Sequence, residues 1–205
     1  MLRKNDGVTL IELLIALAVS AFVMAGLYRT SIGQQKSYMV QDQVVDVQQN
    51  VRAAVDRMTR EIRMAGYRKD LLATAGDISG FKSIITPKNN ANHVGKSDDE
   101  ITVIIADKAI TYRLQWDDAD PGKPVLVRNE NGGGAEILAD NVENLQIKYT
   151  LGDETVTDLP VLPESIRMVT INVTARTNIK DPELSGDGYR RRALSSYTIV
   201  RNMGI

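Results

Sequence analysis

Among the residues able to do chemistry, the carboxylates come first. Asp98, Asp99 and Glu100 stand together, and Asp117, Asp118 and Asp120 share a second turn. Either group could offer hard oxygen ligands to Ca²⁺. Neither has the DxDxDG spacing of an EF-hand, so both read as solvated turn acids and no metal is expected; Asp117, Asp118 and Asp120 come nearest to a ligand set. Gly132-Gly133-Gly134 could cradle phosphate, but it lacks the Lys-Ser/Thr and the strand-to-helix context of a P-loop, and reads as a hairpin loop. Arg190, Arg191 and Arg192 beside Tyr189 could meet phosphate or an acidic surface, although three charges ahead of a strand are usually just exposed. His93 lies in a polar loop and needs no role. It is the single histidine, and cysteine is absent. Thiolate nucleophiles, Cys-based zinc or iron–sulfur sites and a His-rich metal cage are therefore excluded, and a Ser-His-Asp triad is hard to build. The expectation is a non-enzyme without a cofactor.

One acid differs from all of these. From Val8 to Tyr28 the chain reads VTLIELLIALAVSAFVMAGLY, in which Glu12 is the lone charge. A run of this length spans a bilayer as a helix. Its eleven Leu, Ile, Val and Phe residues contribute roughly −3 to −6 kcal/mol to insertion, against about +3 for a central acid. Insertion therefore wins. Arg3 and Lys4 ahead of the run favour a cytoplasmic amino terminus, with the rest of the chain outside. No convincing A-x-A-like cleavage site follows the run, so an ordinary cleaved secretory signal does not fit. An acid in lipid is costly without a cation, and no Lys or Arg stands three or four residues from Glu12. Its partner must come from elsewhere.

The stretch Lys4-Asn5-Asp6-Gly7-Val8-Thr9-Leu10-Ile11-Glu12 before an apolar helix resembles the leader and cleavage site of type IV pilins and type II secretion pseudopilins. The resemblance implies cleavage between Gly7 and Val8 by a prepilin peptidase and N-methylation of Val8, where the family usually has Phe. It also implies that Glu12 is the acid that meets the amino terminus of a neighbouring subunit in a filament.

The elements that carry these residues follow from periodicity. No proline occurs before Pro87, so nothing stops the first helix at the membrane surface. Val40, Val44, Val47, Val51, Ala54, Met58, Ile62 and Ala65 recur at helical spacing, and Arg52, Asp56, Arg57, Arg60, Glu61 and Arg63 occupy the opposite face. Gly66 is a plausible stop, giving a helix roughly 87 Å long. Its amphipathic half should pack on the chain's own sheet; a coiled coil with a partner helix is the alternative. After Gly66 come strands at 101–106, 109–115, 125–128, 136–139, 142–150, 166–175 and 193–202, separated by turns. The fold class is α+β: a long amino-terminal helix, transmembrane in its first half, packed on a carboxy-terminal antiparallel sheet domain. The segments are a leader (1–7), a transmembrane or filament-core helix (8–28), its amphipathic continuation (29–66) and a β-rich globular domain (67–205).

At 205 residues with 25 basic and 26 acidic side chains, the net charge of −1 gives no electrostatic case for nucleic acid. The helix VRAAVDRMTREIRMAGY and the strands VENLQIKYT, IRMVTINVTARTN and YTIVRN resemble PilW-type minor pilins and J-type pseudopilins. That resemblance implies a pilin fold and a minor pilin-like subunit that helps initiate or cap a type IV pilus. Its partners would be the prepilin peptidase, other minor and major pilins or pseudopilins through the amino-terminal helix, and the inner membrane before assembly, with the carboxy-terminal domain periplasmic. The alternatives are a J-type pseudopilin of a type II secretion system and a membrane-tethered extracytoplasmic binding or adhesive module. A tethered enzyme lacks a clustered acid/base site.

Overall fold

The computed structural model describes residues 9–67, 84–88, 98–116, 123–181 and 183–202. The contacts within the chain separate two units, Met1–Asp42 and Gln43–Ile205. One helix, α1, runs Leu10–Arg63. From Leu10 to Ser31 its side chains are exposed on every side, Phe22 being 82% exposed. The run is long and apolar enough to cross a membrane, with a mean hydropathy of 2.4 over its best window. A helix that is apolar all round belongs in an apolar medium rather than in water.

The second unit is built from α1 residues 43–63 and two antiparallel sheets. The first sheet contains β1 (Ile85–Lys88), β2 (Glu100–Ile105), β3 (Lys108–Gln115), β4 (Val125–Glu130) and β5 (Glu136–Ala139), in spatial order β1-β2-β3-β4-β5. The second contains β6 (Val142–Leu151), β7 (Val156–Thr157), β8 (Ile166–Arg176) and β9 (Arg191–Ile199), in order β7-β6-β8-β9. A single sheet was the expectation, and the chain makes two. The break falls at Asp140-Asn141, where Asn141 takes φ 55°, a left-handed corner that asparagine tolerates. It sends β6 away from β5 into a new sheet.

The expected helix stripe is the core. Val51, Ala54, Met58, Ile62 and Ala65 are buried together with residues of both sheets, which leaves no apolar seam there for a coiled-coil partner. Val55, outside the stripe, is also buried. Two sheets cover a wider arc of the helix than one would. Along the strands the inward side alternates: Leu145, Ile147 and Tyr149 of β6 and Val169, Ile171 and Val173 of β8 are buried, with Ile147 opposite Ile171 and Tyr149 opposite Val169. A period of two is what places one face against a core. The strand β1 is absent from the sequence reading because Pro87 interrupts it; it pairs on one side only, the edge position where proline is tolerated.

Gly66 ends the helical region in the left-handed conformation, φ 78°, and its N–H donates to the Ile104 carbonyl at 2.8 Å. A Cβ at this position would lie 2.8 Å from the Asn202 carbonyl oxygen and 3.1 Å from Ile84 carbons. Gly66→Ala therefore combines backbone strain with a clash against main chain, at a cost of about 1–3 kcal/mol. The expected result is a drop in melting temperature of at least about 3 °C by circular dichroism of the purified chain; an unchanged melting temperature would contradict this account of the cap.

Candidate functional site

Glu12 opens α1. Its Oε2 accepts hydrogen bonds from the Thr9 backbone N–H and from the Thr9 hydroxyl, both at 2.8 Å, and the Glu12 N–H donates to the Thr9 hydroxyl at 3.3 Å. This is a capping box, in which an N-cap Thr and an acid three residues on satisfy each other's free backbone N–H groups. The T-x-x-E spacing is its local sequence signature, and it lies beside the missing cation that the sequence points to. Hydrogen bonds do not neutralise charge, however. The carboxylate stands within an apolar surface, where Leu10, Ile11, Leu13 and Leu14 are all exposed. A cation is still required to offset it in a medium of low dielectric. Gly7 and Val8 lie outside the described residues.

The other chemistry-bearing groups are tied into the framework. Asp98 and Asp99 are buried rather than solvated, which corrects the expectation for that turn. Asp99 Oδ2 accepts from the Ile147 N–H at 2.7 Å, and Asp98 sits in an isolated parallel bridge to Leu145, so this segment stitches the two sheets. Burial raises the Asp99 carboxyl above its ordinary value, against the lowering effect of the Ile147 hydrogen bond. Glu100 turns to Lys88 at 3.8 Å, so the three acids diverge. Among the described residues no three acidic or histidine side chains gather as a metal set. Asp117, Asp118, Asp120 and His93 lie outside the described residues. The glycines at 132–134 form the β4–β5 hairpin loop, with Gly132 at φ 69° and the Gly133 N–H donating to the Glu130 carbonyl.

The arginine run is largely spent on the chain's own acids. Arg190 pairs with Asp181 at 2.5 Å, and Arg191 pairs with Glu143 at 2.6 Å and with Asp187. Arg176 lies 4.0 Å above the Tyr189 ring, a cation–π contact. The Arg191 guanidinium and the Tyr189 N–H hold the Asp187 carboxyl well below the usual carboxylate range. These contacts, with the Ile179 N–H donating to Gln43 Oε1 at 2.9 Å, fasten the β8–β9 loop without any disulfide.

A second network joins α1 to the first sheet. Glu61 accepts from the Tyr112 hydroxyl and from Arg128 Nε at 3.1 Å. Arg128 also reaches Glu130 at 3.0 Å and Glu136 at 3.7 Å. Arg57 reaches Glu136 at 2.5 Å and Glu61 at 3.6 Å, and Lys108 reaches Glu130 at 2.7 Å. Three cations face three carboxylates. Tyr112 is fully buried; burial first, then its bond to Glu61, raises its hydroxyl far above the ordinary value, so it stays a donor. Helical spacing places Glu61 and Arg57 on the face opposite the apolar stripe. They sit instead at its border, where the helix meets β3, β4 and β5. Every group here is saturated by structural partners, which suits a latch and leaves no free acid or base for catalysis at this cluster. The open groove of about 280 Å³ between α1 and β9, lined by Gln48, Gln49, Arg52 and Arg192, carries no acid or histidine among the described residues of its wall.

The functional weight therefore falls on the amino-terminal helix. No curated protein and no solved structure matches the chain at a significant level. Residues 2–28 match the family of the prokaryotic N-terminal methylation motif, and this motif, at the head of an exposed apolar helix that begins on the Thr9–Glu12 box, supports a type IV pilin-like protein.

Proposed function

We propose that the chain is a minor pilin-like subunit that helps initiate or cap a type IV pilus. A prepilin peptidase would cut between Gly7 and Val8 and the new Val8 amino group would be methylated. Before assembly, α1 residues to about 28 would hold the chain in the inner membrane, with the amino terminus cytoplasmic and the β-rich unit periplasmic. The observation that carries this reading is the match of residues 2–28 to the methylation motif together with the exposed apolar helix that follows.

Physical chemistry supplies the assembly step. A filament core of packed apolar helices is about as favourable to this helix as lipid, so burial alone does not drive extraction. Glu12 breaks the tie. In the bilayer its two hydrogen bonds from Thr9 leave the charge uncompensated; beside another subunit a methylated amino terminus would compensate it, which favours one register of neighbours. The minor-pilin assignment itself rests on the resemblance of the helix at 51–67 and of the strands at 142–150, 166–178 and 197–202. Mass spectrometry of the intact chain purified from membranes tests the reading. The expected species begins at Val8 and is one methyl group heavier than its sequence. A chain retaining Met1 through Gly7 would overturn the assignment.

A further inference from the structure

One surface of the second sheet is built in a way that its own fold does not require. Strand registers place Val156 opposite Thr150, Thr150 opposite Met168 and Met168 opposite Ile199, forming one row across all four strands of the second sheet. The flanking Tyr149, Val169 and Thr198 are buried, so this row faces outward. Val156 leads directly into a loop on which Leu159, Val161 and Leu162 are all exposed, Val161 to 93%. Between them Pro160 is the buried member. The loop thus turns its proline inward and its large apolar side chains outward, the reverse of what self-burial would select.

The loop is also tied by its own hydrogen bonds. The Leu159 N–H donates to the Thr157 hydroxyl at 3.2 Å, and the Ser165 N–H and hydroxyl both donate to the Leu162 carbonyl, at 3.0 and 2.6 Å. The Gly152 N–H donates to the Ser165 carbonyl at 2.9 Å. With Pro160 and Pro163 also restricting φ, the apolar side chains are presented at low entropic cost to a partner. Beside them lies an open groove of about 450 Å³. This surface sits at the Arg63 end of the unit, where the Arg201 N–H meets the Arg63 carbonyl and the Val200 N–H the Arg167 carbonyl. The chain enters at Gln43, about 30 Å away along the helix.

Charge identifies the occupant. From Gly152 to Ser165 the chain carries Asp153, Glu154, Asp158 and Glu164 and no Lys or Arg, and all four acids are exposed. Lys148 approaches only Asp158, at 4.0 Å, and Arg167 Nη1 is directed at the Glu164 and Ile166 carbonyls. A second copy docked face to face by two-fold symmetry would set this acidic rim against itself. An anionic lipid surface would be repelled in the same way. We propose that this surface docks a different protein, one that presents an apolar protrusion ringed by Lys and Arg. The inference goes beyond the filament role and does not depend on it.

The absence of cysteine makes Val161→Cys the single thiol of the full-length chain. A thiol-directed photocrosslinker on it, in native membranes, is expected to give one protein adduct whose linked peptide is apolar with adjacent Lys or Arg. Leu159→Asp with Leu162→Asp should lower the yield about tenfold, as loss of a central anchor does. Glu154→Lys with Glu164→Lys, both at exposed positions, should also lower it, and so should raised salt. The proposal is overturned by an adduct to a second copy, by labelling of lipid alone, by a yield no greater than from Ser185→Cys at the other end of the unit, or by indifference to these substitutions.

Discussion

Glu12→Ala is expected to leave the chain in the membrane and to abolish its incorporation into filaments. On the insertion side the change is favourable, since removing the acid takes away a penalty of about 3 kcal/mol. On the local side it is mildly unfavourable, because Thr9 loses the acceptor of its two 2.8 Å hydrogen bonds and the helix start loses about 1 kcal/mol of capping. Neither effect removes the anchor. What disappears is the only charge in the apolar run that could tell one neighbour position from another. A loss of one buried charge pairing of 3–5 kcal/mol corresponds to a reduction of more than a hundredfold in the equilibrium for docking a subunit. Two further variants separate charge from capping. Glu12→Gln keeps an acceptor for Thr9, as Gln also serves in a capping box, yet carries no charge; it should fail as Glu12→Ala does. Thr9→Ala keeps the charge and loses the cap, and should assemble at a reduced level. The measurement is the share of chain found in sheared filaments against the share left in membranes. Wild-type incorporation of Glu12→Gln would remove the charge from the mechanism.

Much of this molecule can be read from spacing alone because its two halves solve simple problems. The stripe Val51, Ala54, Met58, Ile62 is core because 3.6-residue periodicity places those positions on one face, and β6 and β8 are legible because Leu145-Ile147-Tyr149 and Val169-Ile171-Val173 alternate. Where reading failed, a long-range partner decided the outcome. Val55, four residues from Val51 and three from Met58, joins a core to which both sheets contribute, and the chain divides into two sheets at the left-handed Asn141. Strand β1 hides behind Pro87 because only its pairing with β2 reveals it as an edge. Arg57 and Glu61 look like an ordinary solvated helix pair until Tyr112 and Arg128, far along the chain, close on them. The Thr9–Glu12 box was legible, since it is local.

The saturation of the Glu61 network makes its disruption costly, and Arg128→Met shows this most directly. The Arg128 side chain is 9% exposed and is the member that touches Glu61, Glu130 and Glu136. Methionine fills most of its aliphatic volume, so the expected loss is electrostatic rather than a cavity. Three carboxylates would then share Arg57 and Lys108. Glu130 and Glu136 reach water and can solvate, whereas Glu61 is 21% exposed and still faces the buried Tyr112. The cost is about 2–3 kcal/mol, below the 3–5 of a fully buried broken pair, and corresponds to a melting temperature lower by about 4–10 °C. Glu61→Gln keeps an acceptor for Tyr112 and relieves the charge left behind, so the double variant Glu61→Gln, Arg128→Met should be more stable than the sum of the two single losses by about 1 kcal/mol or more. Thermal unfolding of all four proteins closes the cycle. Strict additivity would mean that Glu61 and Arg128 do not act as a unit, and that the latch between the helix and the first sheet does not depend on their pairing.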